Sequence, residues 1–319
     1  MDADASMVSV VIPAFNEEEM IGTTILTARE ALGGAGLPHE VIVVDHGSTD
    51  GTAVVARASG ARIVSAADAP TISTLRNRGI NQARGEFLVF LDADTSLTSE
   101  WSRHIRDALE SLRVEPLQLC GSVREAPDDT SVIGRYWYRG LSADEEPTHL
   151  GGGHIITTPD AVELIGGFNE SLETGEDYEF CVRARSRGVA VRGDKGLRAI
   201  HRGVPTTVAG FLRREIWHGR GDLGSLRSMI RSRVALVSIL FVALHLGAWW
   251  AWPESFTLFA VAIGSIVLLC AYASVVKYGG QPAKVILVNT GIFYLYFAGR
   301  ALSIFSITVR PNPKRRQRG

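Results

Sequence analysis

Cysteine is scarce in this 319-residue chain, and the three present, Cys120, Cys181 and Cys270, stand far apart. They make neither a zinc spacing nor a disulfide framework, which excludes a cystine-stapled fold and fits a reducing compartment. Excess charge is also lacking: 33 basic against 34 acidic residues leave −1 at pH 7, and no nucleic-acid partner is expected. The first strand is followed by no G-x-G-x-x-G, so a nicotinamide or flavin fold of the dinucleotide type is not expected, and there is no G-x-x-x-x-G-K-[ST] loop. The start, Met1-Asp2-Ala3-Asp4, has no apolar core, so no signal peptide is expected and the N-terminal domain should stay in the cytosol.

What is present divides in two. The first 200 residues read as mixed-charge α/β protein, while the last third alternates basic and apolar blocks. Val8 to Pro13 is an apolar strand stopped by proline, and Asn16 can N-cap a helix in which Ile21, Ile25, Ala28 and Leu32 share one face and Glu19 completes a capping box. A second strand, 40–44, ends in Asp45-His46-Gly47-Ser48-Thr49-Asp50-Gly51. A helix from Asp50 or Thr52 to Gly60, a short strand 62–64 and a helix 71–83 stopped by Gly85 follow.

The run Glu86-Phe87-Leu88-Val89-Phe90-Leu91-Asp92-Ala93-Asp94 then reads as a strand buried on both faces and ending in acid. This alternation predicts a mostly parallel sheet whose ligand edge gathers the loops 13–17, 45–51 and 92–94. Carboxylates bind a diphosphate only through a hard cation, so Asp92 and Asp94 suggest magnesium or manganese; the same pair would equally serve as helix caps. An α/β sheet holding a nucleotide diphosphate through acids and a metal points to a nucleotide sugar.

Four segments in order and spacing, Val10-Val11-Ile12-Pro13-Ala14-Phe15-Asn16-Glu17, Val43-Val44-Asp45-His46-Gly47-Ser48-Thr49-Asp50-Gly51-Thr52, Arg76-Asn77-Arg78-Gly79 and Asp92-Ala93-Asp94, resemble the family 2 glycosyltransferases of the GT-A fold, in a membrane-anchored bacterial-type form. The resemblance implies that Asp45 receives the N3–H of a pyrimidine, so a UDP-sugar is favoured. It implies that Pro13, Ala14, Phe15, Asn16 and Glu17 line base and ribose, with Ala93 on the substrate side, and that Arg76 lies near the nucleotide. Asp94 is implied as a direct metal ligand, with Asp92 toward ribose and metal. His46 departs from the usual Asp or Asn after the first acid.

The acceptor half should follow. Gly151-Gly152-Gly153-His154 can bring the backbone N–H groups of Gly152 and Gly153 to a sugar or phosphate, or be a plain turn. Residues 165–170 and the acid-rich helix start Gly175-Glu176-Asp177-Tyr178 resemble the family's acceptor segment, which implies Asp177 as general base and Glu176 as its orienting neighbour; acids also suit a helix N-terminus. His201 ends a further apolar segment, where it could complete the metal shell or be a core histidine. His218-Gly219-Arg220-Gly221 resembles a basic motif of membrane-bound members, implying that Arg220 stabilises the leaving diphosphate.

Residues 234–252 and 256–276 are long enough to span a bilayer, with Trp249, Trp250 and Trp252 at an interface. Basic residues flank the pair and none lies between, so both ends are expected on the cytoplasmic side. A third run, 285–309, contains Asn289 and Arg300, costly at bilayer depth, and is expected to lie in the interface or re-enter; three full spans is the alternative. The expected plan is a cytosolic domain over 1–205, an interfacial segment over 206–233, the membrane helices over 234–309 and a basic tail over 310–319. The expected activity is inverting transfer from a nucleotide-diphosphate sugar to a hydroxyl of a lipid-linked or glycan acceptor at the inner membrane. The alternatives are a transferase charging polyprenyl phosphate and a non-catalytic nucleotide-sugar-binding protein.

Overall fold

The computed structural model describes residues 7–122, 124–128, 131–138, 146–223, 229–230 and 232–307. Two compact units result, Met1–Pro127 with Leu141–Val204, and Asp128–Gly140 with Pro205–Gly319. The acidic start, Arg227, Arg231 and the basic tail 310–319 lie outside the described residues.

In the first unit the apolar runs form strands β1 (Val8–Ala14), β2 (His39–Asp45), β3 (Arg62–Ser65) and β4 (Phe87–Leu91). Every residue of β1 and β4 is buried, because helices cover both faces of the sheet. Alternate residues enter different cores: Val10, Ile12, Val89 and Leu91 pack with Ile21, Ile25 and Leu32 of α1 (Glu18–Gly34) and with Trp101 and Ile105 of α4 (Ser99–Val114). Val11, Leu88 and Phe90 pack on the other face with Leu75 of α3 (Ile72–Ile80), Val162 of α6 (Pro159–Ile165) and Phe180 of α7 (Glu176–Ser186).

With β6 (Gln118–Gly121), β8 (His154–Thr157) and β9 (Ala190–Gly193) the sheet has seven strands in the order β3-β2-β1-β4-β8-β6-β9. β3, β2, β1 and β4 run parallel, while β8 is antiparallel to both of its neighbours. A smaller sheet orders β5 (Thr95–Leu97), β10 (Ala199–His201) and β7 (Arg124–Glu125) as β5-β10-β7. The fold is therefore mixed α/β with the parallel strands where the sequence placed them.

Local differences have physical causes. The N-cap of α1 is Glu17, not Asn16, and no side chain caps it. Asn16 instead adopts φ +55° and its Oδ1 accepts the Thr49 N–H at 2.9 Å. The first helical N–H groups are satisfied from the loop before α2 (Thr52–Ala58): Glu17 N–H donates to Thr52 Oγ1 and Glu18 N–H to Asp50 Oδ2. The α3 helix ends at Ile80, short of Gly85. Gly85 accepts no side chain because a Cβ would lie 2.6 Å from the Met7 carbonyl, at the entry to β4.

The second unit contains α5 (Val132–Trp137), α8 (Val208–Leu223), α9 (Arg233–Glu254), α10 (Phe256–Tyr278) and α11 (Ala283–Ile307). Three of these helices are long and apolar enough to cross a membrane, with mean hydropathies of 2.0, 2.4 and, over Ala283–Ser303, 1.4. Asn289 and Arg300 inside α11 have partners: Asn289 Nδ2 donates to the Tyr136 carbonyl at 2.9 Å and Arg300 Nε to Glu215 Oε2 at 3.0 Å. Trp137 packs on Phe211, Phe293 and Tyr296, and Tyr278 donates to its carbonyl at 2.6 Å.

Candidate active site

The carboxyl ends of β2 and β4 deliver Asp45 and the Asp92-Ala93-Asp94 turn to the same edge of the sheet, since both strands run parallel to β1. Helix α1 holds the turn from beneath, where Thr24 Oγ1 donates to the Ala93 carbonyl at 2.7 Å. Asp45 Oδ2 accepts the N–H groups of Gly47 and Ser48 at 3.1 Å each, while Asp45 Oδ1 is buried with no hydrogen-bond partner. An acceptor oxygen in that state suits an N–H donor of a ligand. His46 packs its ring edge-on to Phe15 at 5.4 Å and approaches the Ala66 carbonyl through Nδ1 at 3.2 Å. Phe15 itself is 52% exposed, an aromatic face open for contact.

Asp94 and His201 meet because β5 leaves directly from Asp94 and pairs antiparallel with β10, His201 lying opposite Thr95. His201 Nε2 is 3.0 Å from Asp94 Oδ2. Asp94 Oδ1 is buried and has no hydrogen-bond partner. Among the described residues no group of three or more His, Cys, Asp or Glu is arranged to hold a metal without further ligands. One carboxylate and one imidazole do fit a divalent ion that takes its remaining oxygens from a diphosphate and water.

Asp92 is differently placed. Its Oδ1 receives Arg76 Nη2 at 3.0 Å and its Oδ2 receives Arg124 Nη1 at 2.5 Å. Burial would raise its pKa, but Arg124 and Arg76 hold the carboxyl well below the usual carboxylate range. Glu17 shows the reverse: partial burial and then the negative charges of Asp94, Asp92 and Asp50 push it up to about 7. The acids around Glu17 thus repel one another, a field that a cation relieves.

Arg76 is 1% exposed and serves two acids, donating through Nη1 to Glu176 Oε1 at 2.7 Å as well as to Asp92. It is also laid over the Phe168 ring at 5.3 Å. The glycine run makes room for it: a Cβ on Gly152 would lie 2.8 Å from the guanidinium nitrogens, and one on Gly153 would collide with Asp92 and Arg124. The Gly152 N–H donates to Asp177 Oδ2 at 3.1 Å, and the Gly153 carbonyl accepts the Asp92 N–H at 3.3 Å. Glu176 and Asp177 open α7, so the acids of the β4 turn and those of the helix start are joined through Arg76.

Of the residues singled out in the sequence, the first unit gathers Glu17, Arg76, Asp92, Gly152, Gly153, Glu176 and Asp177 through these links, and Asp94 with His201 beside them. Pro13 and Ala14 end β1 next to Val44 and Asp45. Arg220 belongs to the second unit, exposed on α8. Arg124 went unread in the sequence, where it stands in no motif. His154, which closes the glycine run in the sequence but was given no role there, is fully buried and takes the Trp101 Nε1–H on Nε2 at 2.8 Å, and burial lowers its pKa to about 4.

Residues 9–158 match the model of Glycosyl transferase family 2. Glucosyl-3-phosphoglycerate synthase of Mycolicibacterium smegmatis is 40% identical over 94 residues, 27% of this chain and 30% of that one, so the chain spans under a third of that relative's length. Glycosyltransferase AglE of Haloferax volcanii is 26% identical over 255 residues, 76% of this chain and 81% of its own. Among solved structures, mannosyltransferase PcManGT from Pyrobaculum calidifontis, in complex with GDP-Man and Mn2+, shares the fold at TM-score 0.55 and 18% identity, covering 96% of this chain and 85% of that one. Over residues 9–158 the chain is similar to glycosyl transferase family 2, and its first unit has a mixed α/β fold of the GT-A kind.

Proposed function

We propose that the protein is a metal-dependent, inverting glycosyltransferase that moves a sugar from a nucleotide-diphosphate donor to a hydroxyl of a lipid-linked or glycan acceptor. The observation that carries this reading is the Asp92–Arg76–Glu176 bridge, which joins the acids of the β4 turn to the acids that open α7. Single displacement needs a base on the face of the anomeric carbon opposite the leaving diphosphate, and acids that could hold a cation on the leaving side.

Asp94 and His201 would hold the divalent ion, manganese or magnesium, which when bound offsets the charge of the departing diphosphate. Asp45, through its unpartnered Oδ1, accepts a base N–H, and Pro13, Ala14, Phe15, Asn16, Glu17 and Ala93 line the nucleoside. Asp92, fixed as an anion by two arginines, orients the ribose side and shapes the metal environment. Asp177, steadied by the Gly152 N–H, takes the proton of the acceptor hydroxyl as it attacks. Glu176 keeps that helix end in register through Arg76.

The three apolar helices support an inner-membrane, multi-pass anchor with the catalytic domain cytoplasmic, which favours an acceptor held at the bilayer. A panel of nucleotide sugars scored by thermal shift, with and without manganese, tests the donor half, because a ligand that binds only the native state raises its stability. Stabilisation by a uridine sugar only when manganese is present is expected; no shift with any sugar nucleotide would remove the proposal.

A further inference from the structure

Along the edge that carries Asp92 and Asp94, two arginines are already committed. Arg76 serves Asp92 and Glu176, and Arg124 serves Asp92. A third, Arg202, follows His201 directly and meets no acid among the described residues.

The small sheet sets its placement. β10 pairs with β5 with His201 opposite Thr95, and the Arg202 N–H extends that ladder by one rung, donating to the Asp94 carbonyl at 2.8 Å. Opposed residues of an antiparallel pair are side-chain neighbours, so Arg202 stands beside Asp94. Its Nε donates to Ser96 Oγ at 2.7 Å, and Ser96 is only 2% exposed. A buried hydroxyl thus fixes the inner edge of the guanidinium. Arg202 is otherwise exposed, and its Nη1 and Nη2 have no acceptor among the described residues. Gly203 keeps the approach to the carboxylate clear, since a Cβ there would collide with Asp94 Oδ2.

The neighbouring acids give such a cation a use. Glu17 is pushed up to about 7 by burial and by Asp94, Asp92 and Asp50, so this edge repels a further anion. A nucleotide diphosphate brings negative charge to it, and more gathers on the diphosphate oxygens as the sugar departs. A divalent ion held by Asp94 and His201 offsets part of that charge. A guanidinium fork meets two phosphate oxygens at once.

We propose that Arg202 is a catalytic residue that grips the diphosphate of the donor through Nη1 and Nη2 and holds it as the leaving group, with Ser96 as the positioning residue that aims it. The assignment rests on the transferase reading and adds to it a first-unit residue for the departing charge.

The departing group is itself the probe. Calorimetric titration of the full chain in detergent with UDP and with GDP, each beside its own nucleoside and with manganese present, separates phosphate contacts from base contacts. The wild type should prefer one diphosphate to its nucleoside. R202Q should lose about tenfold of that preference, R202K less and S96A about threefold, with nucleoside affinity unchanged in all three. Unchanged nucleoside affinity also shows that each variant is folded. R198Q removes a neighbouring exposed arginine, paired with Glu100 and Glu125, and should bind the diphosphate as the wild type does. A wild-type preference in R202Q overturns the assignment, and an equal loss in R198Q overturns it in favour of diffuse charge. Parallel loss of diphosphate and nucleoside affinity in R202Q makes the residue structural and overturns it too. A wild type that binds a diphosphate no better than its nucleoside overturns the proposal alone, whereas binding of neither removes the transferase reading with it.

Discussion

Arg76 and Glu176, 100 positions apart in the chain, meet with Nη1 and Oε1 at 2.7 Å, and the other arm of the same guanidinium reaches Asp92 at 3.0 Å. One buried cation therefore sets the spacing between two groups of acids that no local sequence feature relates. Arginine suits the task because its planar fork serves two carboxylates at once.

Removing that cation should be expensive. R76M leaves Glu176 and Asp92 without their shared partner and should destabilise the first unit by about 3–5 kcal/mol, read as a lower denaturant midpoint. R76K, with a single ammonium, should fall between. Wild-type stability in R76M would show that the bridge is not structural.

Asp177 should be needed for turnover but not for donor binding. D177N should lower the rate by about 10²–10⁴-fold while the manganese-dependent thermal shift with a nucleotide sugar persists. A polyprenyl phosphate acceptor, already an anion, has less need of a base, so an unchanged rate in D177N would favour that chemistry.

Metal binding should depend on Asp94 and His201 more than on Asp92. D94N should abolish the manganese-dependent part of the shift and H201N should weaken it, whereas D92N should act mainly through Arg76 and Arg124. Titration of manganese against nucleotide-bound protein distinguishes the three variants.

Acid should loosen the first unit through His154. Its folded pKa of about 4 lies below the ordinary 6.5, so the unfolded chain binds more protons between those values. The contribution of about 3 kcal/mol is present above pH 6.5 and is lost as pH falls toward 4. H154Q should flatten the pH dependence of stability in that window; an unchanged slope would assign the acid lability elsewhere.

The buried thiols should be inert. Burial pushes Cys120 up to about 12 and Cys181 to about 11, so iodoacetamide should label neither until the unit unfolds. Fast labelling of native protein at pH 8 would contradict this.

Much of the plan was legible in the residues. The apolar runs at 8–13, 40–44, 62–64 and 87–91 became parallel strands because buried strands and their acidic loops are written locally, in side-chain period and turn chemistry. The helix expected from Asp50 or Thr52 starts at Thr52, whose N–H donates to Asp50 Oδ1 at 3.0 Å. Helix ends were less legible: Asn16 lost its capping role to residues more than thirty positions away, since a backbone N–H accepts whichever partner the fold brings near. Helix α5 escaped notice because its reason for existing is Trp137 among aromatics of distant helices.

By itself the chain's order of residues determined the strand-helix alternation, the family motifs and the apolar helices, all of which depend on neighbours within a few turns. Only tertiary structure decided that Asp92 is clasped by Arg76 and Arg124, that the Gly152 N–H faces Asp177, and that Asp94 stands beside His201. Electrostatic partners are chosen by distance in space. The 107 positions between Asp94 and His201 carry no trace of the 3.0 Å that separates their side chains once β5 and β10 pair.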